Sequence, residues 1–153
     1  MHGGSGSLAE GRIEMSGDVV TWGPEHPSAD PLLDGVLALH KANRATLGPM
    51  PDDGFRDRAR HGGLLIACQA GRVVAYVLYD IPRHNLIKLV HVCVSSDVRG
   101  AGWARTLVDA AVERHPGLAF VTAACRIDYQ MDGFWRALGM HATSEKPGRA
   151  LNG

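Results

Sequence analysis

The chain has 153 residues, 45% of them hydrophobic and 21% charged, with 16 basic and 16 acidic side chains and a formal net charge of zero. That is enough chain for a packed globular core, and the charge balance excludes a long-range field that would recruit nucleic acid or a membrane surface. No apolar run approaches the ~20 residues of a membrane span, no secretory signal precedes the first strand, and three cysteines (Cys68, Cys93, Cys125) without close spacing argue for a reducing compartment, the cytoplasm, over a disulfide framework. Eight scattered histidines show no metal-ligand spacing.

Residues 1–17, with the run Gly3-Gly4-Ser5-Gly6-Ser7, read as a disordered leader or tag, and residues 18–153 as one domain. Asp18 to Trp22 is a short strand and Gly23 to Pro31 a proline-rich loop. Asp30 and Pro31 open a helix whose apolar positions Leu32, Leu33, Val36, Leu37 and Leu39 carry it towards Leu47. Gly48-Pro49-Met50-Pro51 ends it, and Asp52 or Asp53 is the expected cap of a second, charged helix from Gly54 to about His61. Leu64 to Cys68 and Val73 to Tyr79 read as a hairpin turning at Ala70-Gly71, and a second connection, Pro82 to Asn85, leads into a strand from Leu86 to Val94.

That strand runs into a glycine-bearing turn and then a helix from Ala101 to about His115, with Trp103, Ala104, Leu107, Val108, Ala111 and Val112 on one face. Leu118 to Ala124 reads as a further buried strand, parallel to the preceding one because a helix connects the two. Met131, Phe134, Trp135 and Leu138 mark another helix, closed by Gly139, and Met140 to Thr143 begin a last strand.

The strand-to-helix turn is the stretch with chemistry. Leading helix amides have no intrahelical partner and favour an anion, glycines admit close approach, and Arg99 adds a fixed positive charge. Gly100 and Gly102 are followed by Arg105 where a dinucleotide fingerprint needs a third glycine, and no Gly-Lys-Ser/Thr of a P-loop follows. Arg99, Gly102 and Ala104 match Arg/Gln-x-x-Gly-x-Gly/Ala, and the stretch resembles the acyl-CoA motif of the GNAT superfamily of N-acetyltransferases. Phe134 to Met140 approximate a second family signature, Phe-Tyr-x-x-x-Gly-Phe, and the element order over residues 18–143 follows the family.

The resemblance implies an α+β mixed sheet in three αβα layers, with the usual final strand apparently missing. It implies direct transfer of an acetyl group from acetyl-CoA to a primary amine of a small molecule or protein. Val92, Cys93 and Val94 would pair with the pantetheine arm where two strands splay at a bulge, and Arg99, Gly100, Ala101, Gly102, Trp103 and Ala104 would take the pyrophosphate. Asp128 stands where an asparagine often contacts the cofactor arm.

Two catalytic positions depart from the family. Trp135 replaces the tyrosine that protonates the leaving thiolate, with Tyr129 as substitute, and Lys88 replaces a carboxylate base, with His91 as candidate. Cys93 reads as a buried structural thiol rather than a nucleophile. Asn43, Met50, Asp52, Asp53, Asp80 and His84 are the residues expected to face the acceptor amine. A missing last strand would leave an open edge as a route to a homodimer. The rival expectations are a silent CoA-binding module and a part of a larger protein.

Overall fold

A computed structural model describes residues 17–21, 31–83, 85–124 and 132–143. The chain divides into two compact units, residues 1–123 and 124–153.

In the first unit, β1 (Asp18–Thr21), β2 (Leu64–Gln69), β3 (Arg72–Arg83), β4 (Leu86–Val94) and β5 (Phe120–Ala123) form one five-stranded sheet in the order β1-β2-β3-β4-β5. The first three pairings are antiparallel and β4–β5 is parallel, as the helical crossover requires. The β2–β3 hairpin turns at Ala70 (φ 51°) and Gly71 (φ 75°), both left-handed as a two-residue loop demands.

Helices α1 (Pro31–Ala42) and α3 (Asp52–Arg60) cover one face, where Leu33, Val36, Phe55 and Ala59 pack with Leu64, Ile66, Tyr76, Leu78 and Cys93. Helix α4 (Trp103–Glu113) lies on the sheet through Trp103, Leu107, Val108 and Ala111, on the side to which the alternating Leu65, Ala67, Val77 and Val92 point. Each fully buried aliphatic side chain there contributes about 2 kcal/mol. The architecture is the expected mixed α+β fold in three layers. Gly35 lets α1 settle onto β3: a Cβ at that position would stand 2.6 Å from Val73 Cγ2.

Four expectations change. The first helix does not reach Leu47 intact but breaks at Asn43 into α1 and the short α2 (Arg44–Leu47), because the Asn43 side-chain amide donates to the Leu39 carbonyl at 2.9 Å and competes with the backbone. Asp52 and Asp53 are not caps: α3 begins at Asp52, after Pro51, so both carboxylates lie in its first turn, where the helix dipole favours them. The strand after α4 is short and exposed rather than buried, with Phe120 at 59% exposure.

The fourth change falls in the second unit, where α5 (Asp132–Ala137) ends at Gly139 (φ 86°). The Gly139 amide donates to the Arg136 carbonyl and the Met140 amide to that of Trp135, the double bond of a Schellman close. Met140 to Thr143 then form no strand. No helix among the described residues is long and apolar enough to cross a membrane.

Candidate functional site

The site begins where β4 loses a neighbour. β5 pairs with β4 only from Leu86 to Leu89. On the other side, Leu78 pairs with His91 but Tyr79 with Leu89, so Val90 is the extra residue of a β-bulge. Beyond it, Val90 to Val94 have no strand opposite β3 among the described residues. The Ser95 amide donates to the Val74 carbonyl at 2.7 Å, which sets the phase of the ladder. Cys93 and His91 therefore turn their amide groups to β3, while Val92 and Val94 turn theirs to the open edge.

β4 passes through a 3-10 turn (Ser96–Val98), anchored by buried Val98, into Arg99 and the two glycines. Gly100 (φ 88°) and Gly102 (φ 95°) lie in the left-handed region, which disfavours any other L residue, and a Cβ at either would meet nothing within 4 Å. Gly102 is the N-cap of α4 and offers no side chain to its opening amides, those of Trp103 and Ala104 foremost. Open space, leading helix amides and a cation fit an anionic pyrophosphate, and the open β4 edge fits an extended amide-bearing chain.

The cradle is braced. Ser95 Oγ donates to Asp97 Oδ1 at 2.5 Å and Arg72 Nη2 to Asp97 Oδ2 at 2.7 Å, tying the turn to the β2–β3 hairpin. These hydrogen bonds hold the exposed Asp97 carboxyl below its ordinary range. Arg99 Nε donates to the Val94 carbonyl at 3.2 Å and its Nη2 to Asn43 Oδ1 at 2.9 Å. Trp103 is buried, and its indole Nε1 has no hydrogen-bond partner among the described residues.

His91 does not stand open to an amine. It is 3% exposed, its Nδ1 shares a hydrogen bond with Tyr76 Oη at 3.2 Å, and its ring stacks on that of His40, centroids 5.0 Å apart and 18° from parallel. Phe55 closes the cluster, 5.1 Å from His40 and 5.5 Å from His91. Burial first, then the charges of His40 and Arg58, push the His91 pKa down to about 4 against an opposing backbone hydrogen bond to Leu47. It is neutral near pH 7 and a weak base. Burial likewise pushes the Cys93 thiol up to about 12, so it stays protonated and structural.

The expected acceptor side is divided. Met50 and Asp52 line an open pocket of about 530 Å³ with Leu37, His40, Lys41 and Arg44. Asn43 is instead committed to Arg99 and Leu39. Asp80 is ion-paired with Arg58, whose Nη2 donates to Oδ2 at 3.2 Å while Nε lies 3.0 Å from Oδ1 out of hydrogen-bond alignment, and the pair offsets the negative charge Asp80 would present to an acceptor. Asp53 is exposed on α3, and Lys88 is exposed on β4, opposite Asp80. His84, Asp128 and Tyr129 lie outside the described residues. In the second unit Trp135 is half-buried and packs edge-on against Phe134 at 5.0 Å.

Sequence reasoning missed three contacts: Asn43 to Arg99, Arg58 to Asp80, and His40 to His91. Only the last left a signal, since Leu33, Val36 and His40 follow helical spacing along one face.

Comparison with curated protein sequences returned no significant match. Solved structures do resemble the chain. Rv2747 from Mycobacterium tuberculosis, solved with CoA, superposes with a TM-score of 0.61 at 17% identity, over 77% of this chain and 71% of that one. The ribosomal-protein-alanine N-acetyltransferase of Brucella melitensis biovar Abortus 2308 gives 0.58 at 16% identity, over 89% and 96%. An aminoglycoside acetyltransferase from an uncultured soil metagenomic sample, solved with sisomicin, gives 0.63 at 12% identity, over 89% and 94%. These likenesses are of fold. A family model for the acetyltransferase (GNAT) family matches residues 36–140, across both units, and the chain therefore belongs to the acetyltransferase (GNAT) family.

Proposed function

We propose that residues 18–153 form one acetyltransferase domain that moves an acetyl group from acetyl-CoA to a primary amine of a small molecule or protein, in the cytoplasm. The observation that carries this reading is the continuity of the open β4 edge with the glycine turn and the helix start: one ledge for an extended arm, ending in a cradle for its phosphates. Relatives of the same fold that were solved with CoA, or that act on a protein amine or an aminoglycoside, support it.

In this reading Gly100 to Ala104 and Arg99 take the pyrophosphate, and Val92 and Val94 hydrogen-bond the pantetheine arm. Acetyl-CoA supplies a thioester whose carbonyl carbon joins the amine nitrogen, while the sulfur leaves and takes up a proton. An outward amide of Val92 or Val94 is the donor for the carbonyl oxygen. The amine sheds its proton to water, because His91 is sealed beneath Phe55 and His40 and holds a proton poorly. Tyr129 is the proposed donor to the sulfur. The pocket beside Met50, Lys41 and Arg44 is the proposed entry for the acceptor.

The experiment is thiol release from acetyl-CoA with a panel of amines, run on a sample whose acetyl-CoA binding is measured first. Binding with amine-dependent thiol release supports the transferase. Binding without turnover on any amine supports the rival reading of a silent CoA-binding module, which Trp135 in the tyrosine position and the burial of His91 favour. No binding sinks both.

A further inference from the structure

Arg99 is held in place without being neutralised. Its two acceptors among the described residues, the Val94 carbonyl at 3.2 Å and Asn43 Oδ1 at 2.9 Å, are both uncharged. Among the described residues no carboxylate pairs with it. The side chain is exposed, and an exposed arginine otherwise samples many rotamers that a bound anion must freeze. Asn43 is itself fixed. It sits in the break between α1 and α2 (φ −122°, ψ 19°), and its Nδ2 donates to the Leu39 carbonyl at 2.9 Å. One end of the amide is thus tied to the helix and the other to the guanidinium.

We propose that Asn43 is a positioning residue that pre-orders the Arg99 guanidinium for the pyrophosphate of a CoA thioester and leaves its charge unspent. This rests on the cradle assignment made above. An amide suits the task because it supplies an acceptor to the guanidinium and a donor to the helix from one planar group, without bringing a negative charge to the cradle. The break in the first helix then has a purpose: it turns the residue that interrupts α1 towards the end of β4.

The test is a double-mutant cycle on the full chain, with CoA binding measured by calorimetry and unfolding measured beside it. The variants are Asn43→Ala, Arg99→Gln and the pair. Asn43→Ala is expected to weaken CoA binding about 5- to 10-fold when Arg99 is present and less than about 2-fold when it is not, because contacting residues couple and independent ones add. A purely structural role for Asn43, through Leu39, would lower the unfolding midpoint and cost the same affinity in both backgrounds, and that result overturns the proposal. So does wild-type affinity of Asn43→Ala alongside a weakened Arg99→Gln, which leaves the cradle standing. Wild-type affinity of Arg99→Gln overturns the proposal and leaves the cradle standing, because its motif admits glutamine at that position; failure of the wild-type chain to bind CoA removes the cradle assignment itself and the proposal with it.

Discussion

The two halves of β4 are both mostly apolar and differ in what lies beside them. From Leu86 to Leu89 the strand is paired on both edges, with β3 and β5. From His91 to Val94 it is paired on one edge, and its other edge runs towards the glycine turn. One inserted residue, Val90, stands at the boundary. On the proposed function, a ligand ledge requires no special side chain. A strand becomes a binding surface where its neighbour stops, and the side chains beneath need only hold it flat.

The largest expected effect on binding lies at the end of the open half. Gly102→Glu forces a side chain onto φ 95° and brings a negative charge to the proposed anion site. It is expected to cost at least ~100-fold in acetyl-CoA affinity, about 2.7 kcal/mol. Ligand at ~100 times its dissociation constant should stabilise the wild-type fold by about 2.7 kcal/mol, and the variant should show no such shift. A normal thermal shift in Gly102→Glu would erase the distinction between the two halves.

The next effects concern the packing beneath the open half. His91 has a folded pKa of about 4 against an ordinary 6.5, so the folded state disfavours its protonation. The sign follows: the contribution is full above pH 6.5, is lost as pH falls from about 6.5 towards 4, and changes no further below that. The shift corresponds to a loss on the order of 3 kcal/mol. Urea unfolding measured across that window should show the slope, and His91→Gln should flatten it. His115, also pushed down by burial and by Arg114, adds to the slope in the same sense. Tyr76→Phe leaves a buried imidazole nitrogen without its partner and is expected to cost about 1–3 kcal/mol at neutral pH. Equal stability of Tyr76→Phe and wild type would show that the ring cluster is held by packing alone.

The smallest effect belongs to the closed half. Phe120 is 59% exposed on β5, so Phe120→Thr should shift stability by less than about 0.5 kcal/mol and leave CoA binding unchanged. A large loss of binding there would mean that the paired half takes part in the ledge.

What the sequence disclosed was local. The hairpin turn, the parallel crossover, the glycine turn and the helix after it all follow from alternation, helical spacing and turn residues within a short window. The helix break at Asn43 was not legible, because its partners are Leu39 on the preceding turn and Arg99, distant along the chain. The exposure of β5 was not legible either, since an apolar run reads the same whether or not another layer covers it. In the candidate site, the glycine turn and the helix start were visible and the ladder phase was not. Assigning the open amides to Val92 and Val94 rather than Cys93 needs the Ser95–Val74 bond, a contact between strands. The pairing of Asp80 was hidden for the same reason, its partner Arg58 lying 22 positions away.

Gly35 carries one more consequence, for how variation at this chain would be read. It lies on the helix face that meets Val73 and outside the cradle, yet even a methyl group there collides with the strand below. In a mutational scan scored on activity, position 35 would look as intolerant as Gly102. The two separate in pairs: shortening Val73 to alanine removes the 2.6 Å contact and leaves a 3.0 Å approach to its Cβ, so it should recover part of the stability of a Gly35→Ala chain and do nothing for a Gly102 variant. Across descendants of this sequence, residues 35 and 73 should therefore drift together, one gaining volume as the other sheds it.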